Sequence, residues 1–314
     1  MSKATLHSKP ADSTSNTTLP GLVVASFGAK LVVEDAAGEL HRCTGRRKLG
    51  PVVCGDRVRW QPGNLQDCAI TDLQARHSEL ARLDKTGRKK IIAANIDQIL
   101  IMIAPGVEFS TGLIDRYLVT AESVGIQPLI VLNKIDLLAK QQLSELKQQL
   151  GAYEKLDYPV IFTSTTTAHG LDTLLPLLLH KTSIFVGKSG VGKSSLINLI
   201  LPDAAARVGE ISQATGKGTH TTTTVWLYHL PGNTGDVIDS PGIREFGLWQ
   251  ITPSQVAYGF REFRNLADQC RFRDCLHRGE PDCAVAQAVK RGDISEHRYA
   301  SYQRILASVE EMTN

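Results

Sequence analysis

Two kinds of hydrophobic pattern divide the chain. From Gly21 to about residue 80 the apolar positions come in short β-rich runs: Leu22–Val24, Ala29–Val33, Glu39–Cys43, Asp56–Trp60 and Cys68–Asp72. Gly28, Gly38, Gly50, Pro51, Gly55, Pro62 and Gly63 punctuate them. Short strands at this density predict a small closed β-barrel, with the OB-fold as the candidate. Arg57 and Arg59 alternate with Val58 and Trp60, so that strand has one charged and one apolar face.

Beyond residue 90 the blocks lengthen and alternate in period. Gln98–Ile103, Pro128–Leu132, Val160–Phe162, Ser183–Val186 and Asp236–Asp239 read as strands. Leu113–Val124, Gln141–Leu150, Leu171–Leu179 and Ser195–Ile200 read as helices. That alternation predicts a parallel sheet with helices on both faces, and ligands at the C-terminal ends of the strands. Pro253–Leu266 and Ile294–Met312 are helical by pattern. The expected fold is multidomain α/β. Residues 1–20 form a disordered tail, 21–80 an OB-fold barrel that binds RNA, 81–246 the α/β core and 247–314 a helical domain.

Composition adds little to this division. The chain has 314 residues and a net charge of +3, room for two or three domains and no global argument for a nucleic-acid partner. The first 20 residues lack the apolar core of a signal peptide, and no run approaches bilayer length. A cytoplasmic location is expected, with no membrane partner. Local charge says more. His41–Lys48 carries four Lys/Arg and no acid, and Arg82–Lys90 carries five against one. The first is a basic loop of the kind through which small barrels bind oligonucleotides, or a solvated loop. The second is a linker or part of the same surface.

Gly187, Lys188, Ser189, Gly190, Val191, Gly192, Lys193 and Ser194 fit the G-x-x-x-x-G-K-[ST] phosphate loop, between a predicted strand and a predicted helix that opens at Ser195. Its glycines let successive N–H groups face phosphate oxygens, and the helix adds its positive end. Lys193 would reach the β- and γ-phosphates and Ser194 would hold Mg²⁺. Asn133, Lys134, Ile135 and Asp136 follow the strand 128–132. Asp136 can accept from the ring N–H and exocyclic amine of guanine, a donor pair that adenine lacks. Asn133 would bond the other edge of the base and the Lys134 stem would cover its face. Beside a phosphate loop, this makes the nucleotide GTP or GDP rather than ATP.

Three further segments complete the set. Ser164, in the run Thr163–Thr165, could help hold the guanine oxygen. Asp239 would hold Mg²⁺ through water, and the Gly242 N–H would touch the γ-phosphate. In Gly218–Thr223 one threonine would bind Mg²⁺; Thr222 is the choice, with Thr221 and Thr223 as alternatives. The order is unusual, because the base-reading motif precedes the phosphate loop. The core is therefore circularly permuted, and the segment after Asp239 runs straight into the C-terminal domain.

The six cysteines fall into two groups. Cys43, Cys54 and Cys68 are expected as free thiols in a reducing compartment. Cys270, Cys275, His277 and Cys283 form a Cys₃His set whose spacing suits one structural Zn²⁺ with no open position. Arg261, Arg264, Arg271, Arg273 and Arg278 surround it, as a nucleic-acid face or a solvated one.

These motifs, in this order, resemble the circularly permuted, ribosome small-subunit-dependent GTPases of bacteria, also called ribosome biogenesis GTPase A, over about residues 21–310. The resemblance implies an OB-fold, a permuted GTPase core and a zinc domain. It also implies binding to the 30S subunit and its 16S rRNA, a role in late maturation of that subunit, and release on GTP hydrolysis. A monomer is expected. Ile243 follows Gly242 where many GTPases carry a water-positioning Gln. His220 matches the family as the substitute catalytic group. The segment 163–167 is Thr-rich where the family often has Ser-Ala.

Overall fold

The computed structural model describes residues 18–27, 30–63, 67–83, 86–107, 110–202, 225–239 and 251–311. Strands β1 (Leu19–Phe27), β2 (Lys30–Glu34), β3 (Leu40–Gly45), β4 (Arg57–Pro62) and β5 (Asp67–Leu73) lie in the order β1-β2-β3-β5-β4, and β4 closes onto β1. Val23, Leu31, Val33, Val58, Trp60 and Ile70 fill this five-stranded barrel, the inward set of the alternation read from the sequence. Leu19 and Pro20 already pair with Trp60 and Arg59, so strand begins inside the stretch expected as tail; residues 1–17 lie outside the described residues.

One expectation is corrected here. Cys43 and Cys68 are not free thiols but a disulfide, with Cα atoms 4.3 Å apart. The cause is register: β3 and β5 run parallel with Cys43 opposite Cys68. Their 25-residue separation hides that proximity in the sequence. Cys54 stays free and buried.

Strands β6 (Glu79–Leu83) and β7 (Lys89–Ala94) form a separate antiparallel hairpin, and the basic stretch Arg82–Lys90, expected as a linker or part of the barrel's basic surface, includes the end of one strand and the start of the other. The core follows with β8 (Gln98–Ile103), α1 (Thr111–Ser123), β9 (Gln127–Leu132), α2 (Lys140–Glu154), β10 (Val160–Phe162), α3 (Leu171–Leu178), β11 (Thr182–Val186), α4 (Lys193–Ile200), β12 (Val225–His229) and β13 (Asp236–Asp239). Their order is β10-β9-β8-β11-β13-β12, parallel except for β12. All six residues of β8 are buried, as a strand covered by helices on both faces must be.

β12, like β6 and β7, is an element that the sequence reading missed. It pairs with β13 on one side and β1 on the other, and joins barrel and core into a single eleven-stranded sheet.

Four helices follow: α5 (Pro253–Tyr258), α6 (Arg261–Ala267), α7 (Ala284–Arg291) and α8 (Glu296–Glu311). Thr252 caps α5, accepting from the Gln255 N–H, with Pro253 in the first turn; this satisfies end groups that the helix itself cannot. Phe260, Phe263, Tyr302, Leu306 and Val285 make a separate core, which Val119 of α1 joins. Arg298 locks the two units together. Its guanidinium donates to Glu262 (2.7 and 3.1 Å) and to the fully buried Asp115 of α1. Among the described residues, no helix is long and apolar enough to cross a membrane.

Candidate functional site

Register builds the site. Val186 lies opposite Ile101, Ile103 opposite Leu132, and Leu132 opposite Phe162. The strands β11, β8, β9 and β10 therefore end at one edge, and the segments that follow them converge there: 187–194, 104–107, 133–136 and 163–164. β13 runs parallel beside β11, so Asp239 comes to the same edge.

The phosphate loop follows β11. Gly187, Gly190 and Gly192 have φ of 141°, 87° and 95°, a region that glycine occupies without strain. A Cβ on Gly187 would collide with the Met102 carbonyl, and one on Gly192 with the Asn133 amide. Val191 is buried while Ser189, Ser194 and Ser195 are exposed, so the loop is anchored by one apolar side chain and open on its ligand side. Lys193 Nζ donates to the carbonyls of Gly187 (2.6 Å) and Lys188 (2.9 Å). Burial raises the Asp239 carboxyl above its ordinary range, and the nearby Lys193 ammonium pulls it back. A cation and a carboxylate thus face each other at the helix N-terminus, where a nucleotide's Mg²⁺–phosphate group can be received.

The base-reading loop is wired to the phosphate loop. Asn133 is fully buried. Its Nδ2 donates to the Val191 carbonyl at 2.9 Å, and its Oδ1 accepts from Thr163 Oγ1 at 3.1 Å. Its amide thus ties three loops together through one donor and one acceptor bond, which leaves a second N–H of Nδ2 for a further partner. Ser164 Oγ donates to Asp136 Oδ1 at 2.5 Å and accepts from the Thr167 N–H, while the Ser164 N–H donates to the His169 carbonyl. Ser164 therefore orients Asp136, which stays exposed. Lys134 adopts a left-handed φ of 62° with its stem beside Gly192, and Ile135 is half-buried against the core. Gly170 was missed by the sequence reading: a Cβ there would strike the Phe162 carbonyl, so only glycine lets the 163–170 loop close. His220, Thr222 (with Thr221 and Thr223), Gly242 and Ile243 lie outside the described residues.

The Cys₃His set assembles. The ligand atoms of Cys270, Cys275, His277 and Cys283 all lie within 4.8 Å of one another. His277 Nδ1 is 3.6 Å from Cys270 Sγ and 3.5 Å from Cys283 Sγ. A tetrahedral ion with bonds of about 2.3 Å to sulfur and about 2.0 Å to nitrogen sets such atoms roughly 3.5 Å apart, so the four residues fit and could hold a zinc ion. Burial, and then the neighbouring sulfurs, push the Cys275 thiol up to about 12; a bound cation supplies the charge that favours thiolates there. Burial also lowers His277, which keeps the imidazole neutral as a ligand must be.

Outer groups hold this loop, as they commonly do around metal ligands. Glu280 accepts from the N–H groups of Leu276, Arg278 and Gly279, and Tyr299 donates to the His277 carbonyl at 2.6 Å. Neither was singled out from the sequence, because neither is a ligand. The surrounding arginines are mostly engaged. Arg261 and Arg264 pair with Glu122, Arg271 with Asp282 and Arg278 with Glu310.

Comparisons with known proteins agree with this geometry. Residues 73–249 match the model of the RsgA GTPase family. The small ribosomal subunit biogenesis GTPase RsgA of Ectopseudomonas mendocina is 49% identical over 295 residues, covering 93% of this chain and 86% of that protein. The protein of the same name from Haemophilus influenzae is 47% identical, covering 93% and 85%. Among solved structures, YjeQ from Thermotoga maritima superposes with a TM-score of 0.77 at 32% identity, covering 93% of this chain and 99% of that one. YloQ, a circularly permuted GTPase, gives 0.72 at 28%, covering 96% and 99%. A phosphate loop that follows its base-reading motif, a barrel before the core and a Cys₃His cluster after it thus occur together in a chain that belongs to the RsgA GTPase family.

Proposed function

We propose that this GTPase acts on the small ribosomal subunit. It binds the 30S particle in its GTP form and assists late maturation. Its hydrolysis of GTP to GDP and phosphate is stimulated by the particle and coupled to release. The observation that carries the nucleotide half is the convergence of the phosphate loop, the Asn133–Asp136 loop braced by Ser164, and Asp239 at one sheet edge. The ribosomal half is supported by relatives of about half identity over most of both chains, named small ribosomal subunit biogenesis GTPases.

The residue roles follow from phosphoryl-transfer chemistry, in which catalysis is mainly positioning and charge stabilisation. A bound Mg²⁺ would neutralise charge on the β- and γ-phosphates, held by Ser194 and Thr222, with Asp239 reaching it through water. Lys193 leaves the loop carbonyls it now bonds and moves to the phosphates. Backbone N–H groups of Gly190–Ser195 and of Gly242 bind phosphate oxygens. Asp136 reads guanine, and Asn133 holds Asp136's loop against the phosphate loop and bonds the other edge of the base with its remaining N–H. No Gln follows Gly242 to orient the attacking water, so intrinsic turnover is slow, and His220 takes that role when the 30S particle is bound. One structural Zn²⁺ sits in the Cys₃His set.

The division is a barrel that opens at Leu19 and runs to about residue 80, a GTPase core to 246 and a zinc domain over 247–314, and the protein works as a cytoplasmic monomer. The barrel meets 16S rRNA through Arg42, Arg46, Arg47, Lys48, Arg57 and Arg59, all exposed.

Multiple-turnover phosphate release, with and without purified 30S subunits and with excess ATP, tests the reading. Slow release that 30S accelerates and ATP leaves unaffected is expected. ATP displacing GTP would sink the base assignment, and unchanged turnover with 30S would sink the ribosomal one. Full 30S-stimulated turnover in His220→Ala would remove His220 from the mechanism.

A further inference from the structure

β1 and β2 serve two cores at once. Val23, Leu31 and Val33 point into the barrel core. Val24, Ala25 and Val32 point the other way, into the core of the GTPase sheet with Trp226 and Leu227. The N-terminal half of β1 pairs with β4, whereas Ala25 and Ser26 pair with Trp226 and Val225 of β12. A register shift between Val23 and Ala25 marks the change of partner, as a bulge does where a strand turns from one sheet to another.

Side chains reinforce the junction. Phe27 meets Trp226 edge-on with ring centroids 5.1 Å apart. His229, at the end of β12, bonds Asp236 of β13 through Nδ1 (2.6 Å). Through Nε2 it bonds both oxygens of Glu34 in β2 (3.0 and 3.1 Å). The hairpin β12–β13 is therefore clamped to the barrel at both its ladder and its closed end.

In the sequence, Val225 directly follows Thr222, Thr223 and Thr224, and β13 ends at Asp239. The two open ends of this hairpin lead into the two segments assigned to Mg²⁺ and the γ-phosphate. We propose that the β12–β13 hairpin carries the nucleotide state into the barrel through β1 and the Glu34–His229–Asp236 bridge, so that the barrel is a mechanical output of GTP binding and hydrolysis. This deepens the GTPase reading and rests on it. A strand ladder cannot slip by one residue without turning every buried side chain to the wrong face, so a shift of the hairpin must move β1 and β2 with it. Glu34 and His229 are positioning residues in this device and touch no nucleotide. The C-terminal domain, tied to α1 through Arg298, Asp115 and Glu262, sits on the other route out of the core.

Hydrogen exchange of the full-length, metal-loaded protein, with GDP or with a non-hydrolysable GTP analogue and Mg²⁺, tests this. Amides of 19–27 and 30–34 are expected to exchange about fivefold or more differently between the two states, the low end of ordinary allosteric coupling. In the Glu34→Gln, His229→Gln double variant the difference falls below about twofold, while protection of 187–194 by nucleotide is kept. Equal exchange of β1 and β2 in the wild-type protein, with 187–194 still protected, overturns the coupling and leaves the GTPase reading intact. If nucleotide fails to protect 187–194, both fall together. The wild-type comparison decides the matter even if the double variant does not fold.

Discussion

Ser164 Oγ reaches Asp136 at 2.5 Å, and the Asn133 amide bonds both Val191 and Thr163. At this scale the chemistry of Asp136 could be read from its type, because a carboxylate is the natural acceptor for guanine's donor pair. The work of Asn133 could not, since its partner Val191 is 58 residues away and only the strand order β9-β8-β11 brings their loops to one edge. Asp136→Asn replaces one acceptor by a donor. One charge-assisted hydrogen bond of about 1.5–3 kcal/mol is lost and the other weakens to a neutral one, so GTP affinity is expected to fall roughly 10²- to 10³-fold. Xanthosine triphosphate, which offers a carbonyl where guanine has its amine, should bind the variant better than GTP does. Competition titrations with both nucleotides check this, and an unchanged preference for GTP would remove Asp136 from base recognition.

At the scale of elements, most strands and helices of the core stand within a few residues of where periodicity puts them. β12 was overlooked although Val225–Tyr228 is an unbroken apolar and aromatic run, because it sits between a polar threonine segment and a Pro-Gly turn. Its importance is electrostatic as well as topological. Hydrogen bonds donated by its ring N–H groups, first to Asp236 and then to Glu34, raise His229 to about 9, against 6.5 for an ordinary histidine. Arg57, His77, Asp97 and Asp35 line the adjoining cavity. A raised folded-state pKa contributes stability that is fully present below about pH 6.5 and is lost as pH rises through about 9. Barrel–core docking is therefore expected to weaken across that window in the wild-type protein and to lose most of this slope in His229→Gln. Thermal melts at several pH values between 6 and 10, on the order of one unit apart, measure it. An identical slope in both proteins would exclude His229 as the cause.

The described residues form three hydrophobic cores, joined differently at the two ends of the GTPase core. Barrel and core share strands, whereas the C-terminal domain docks on α1 by packing and a buried charge network. Arg298 is 5% exposed and Asp115 0%. Removing one member of such a set costs about 3–5 kcal/mol, because the other charge is left buried. Arg298→Met should destabilise the C-terminal domain by about that amount in a urea titration, while nucleotide binding is kept. A change within the scatter of surface mutants would contradict the docking role. Chelation of the Cys₃His metal should act on the same unit. Loss of the ion is expected to open α5–α8 to hydrogen exchange while β8–β11 stay protected, since the two cores are separate. Uniform opening of the whole chain would show that the units do not fold apart.

The amino-acid sequence alone determined the chemistry: the phosphate loop, the guanine-reading carboxylate, the Cys₃His ligand set and the alternation that makes a barrel and a parallel sheet. Each of these rests on residues close together in the chain, where side-chain type and spacing carry the information. The tertiary structure alone decided the pairings. It turned Cys43 and Cys68 into a disulfide, engaged the arginines around the metal ligands with acids, made Asn133 a tie between loops, and joined barrel to core through β12. Those outcomes depend on strand register and domain docking, which are set by burial summed over distant segments, and no local pattern encodes which of several possible partners lies opposite.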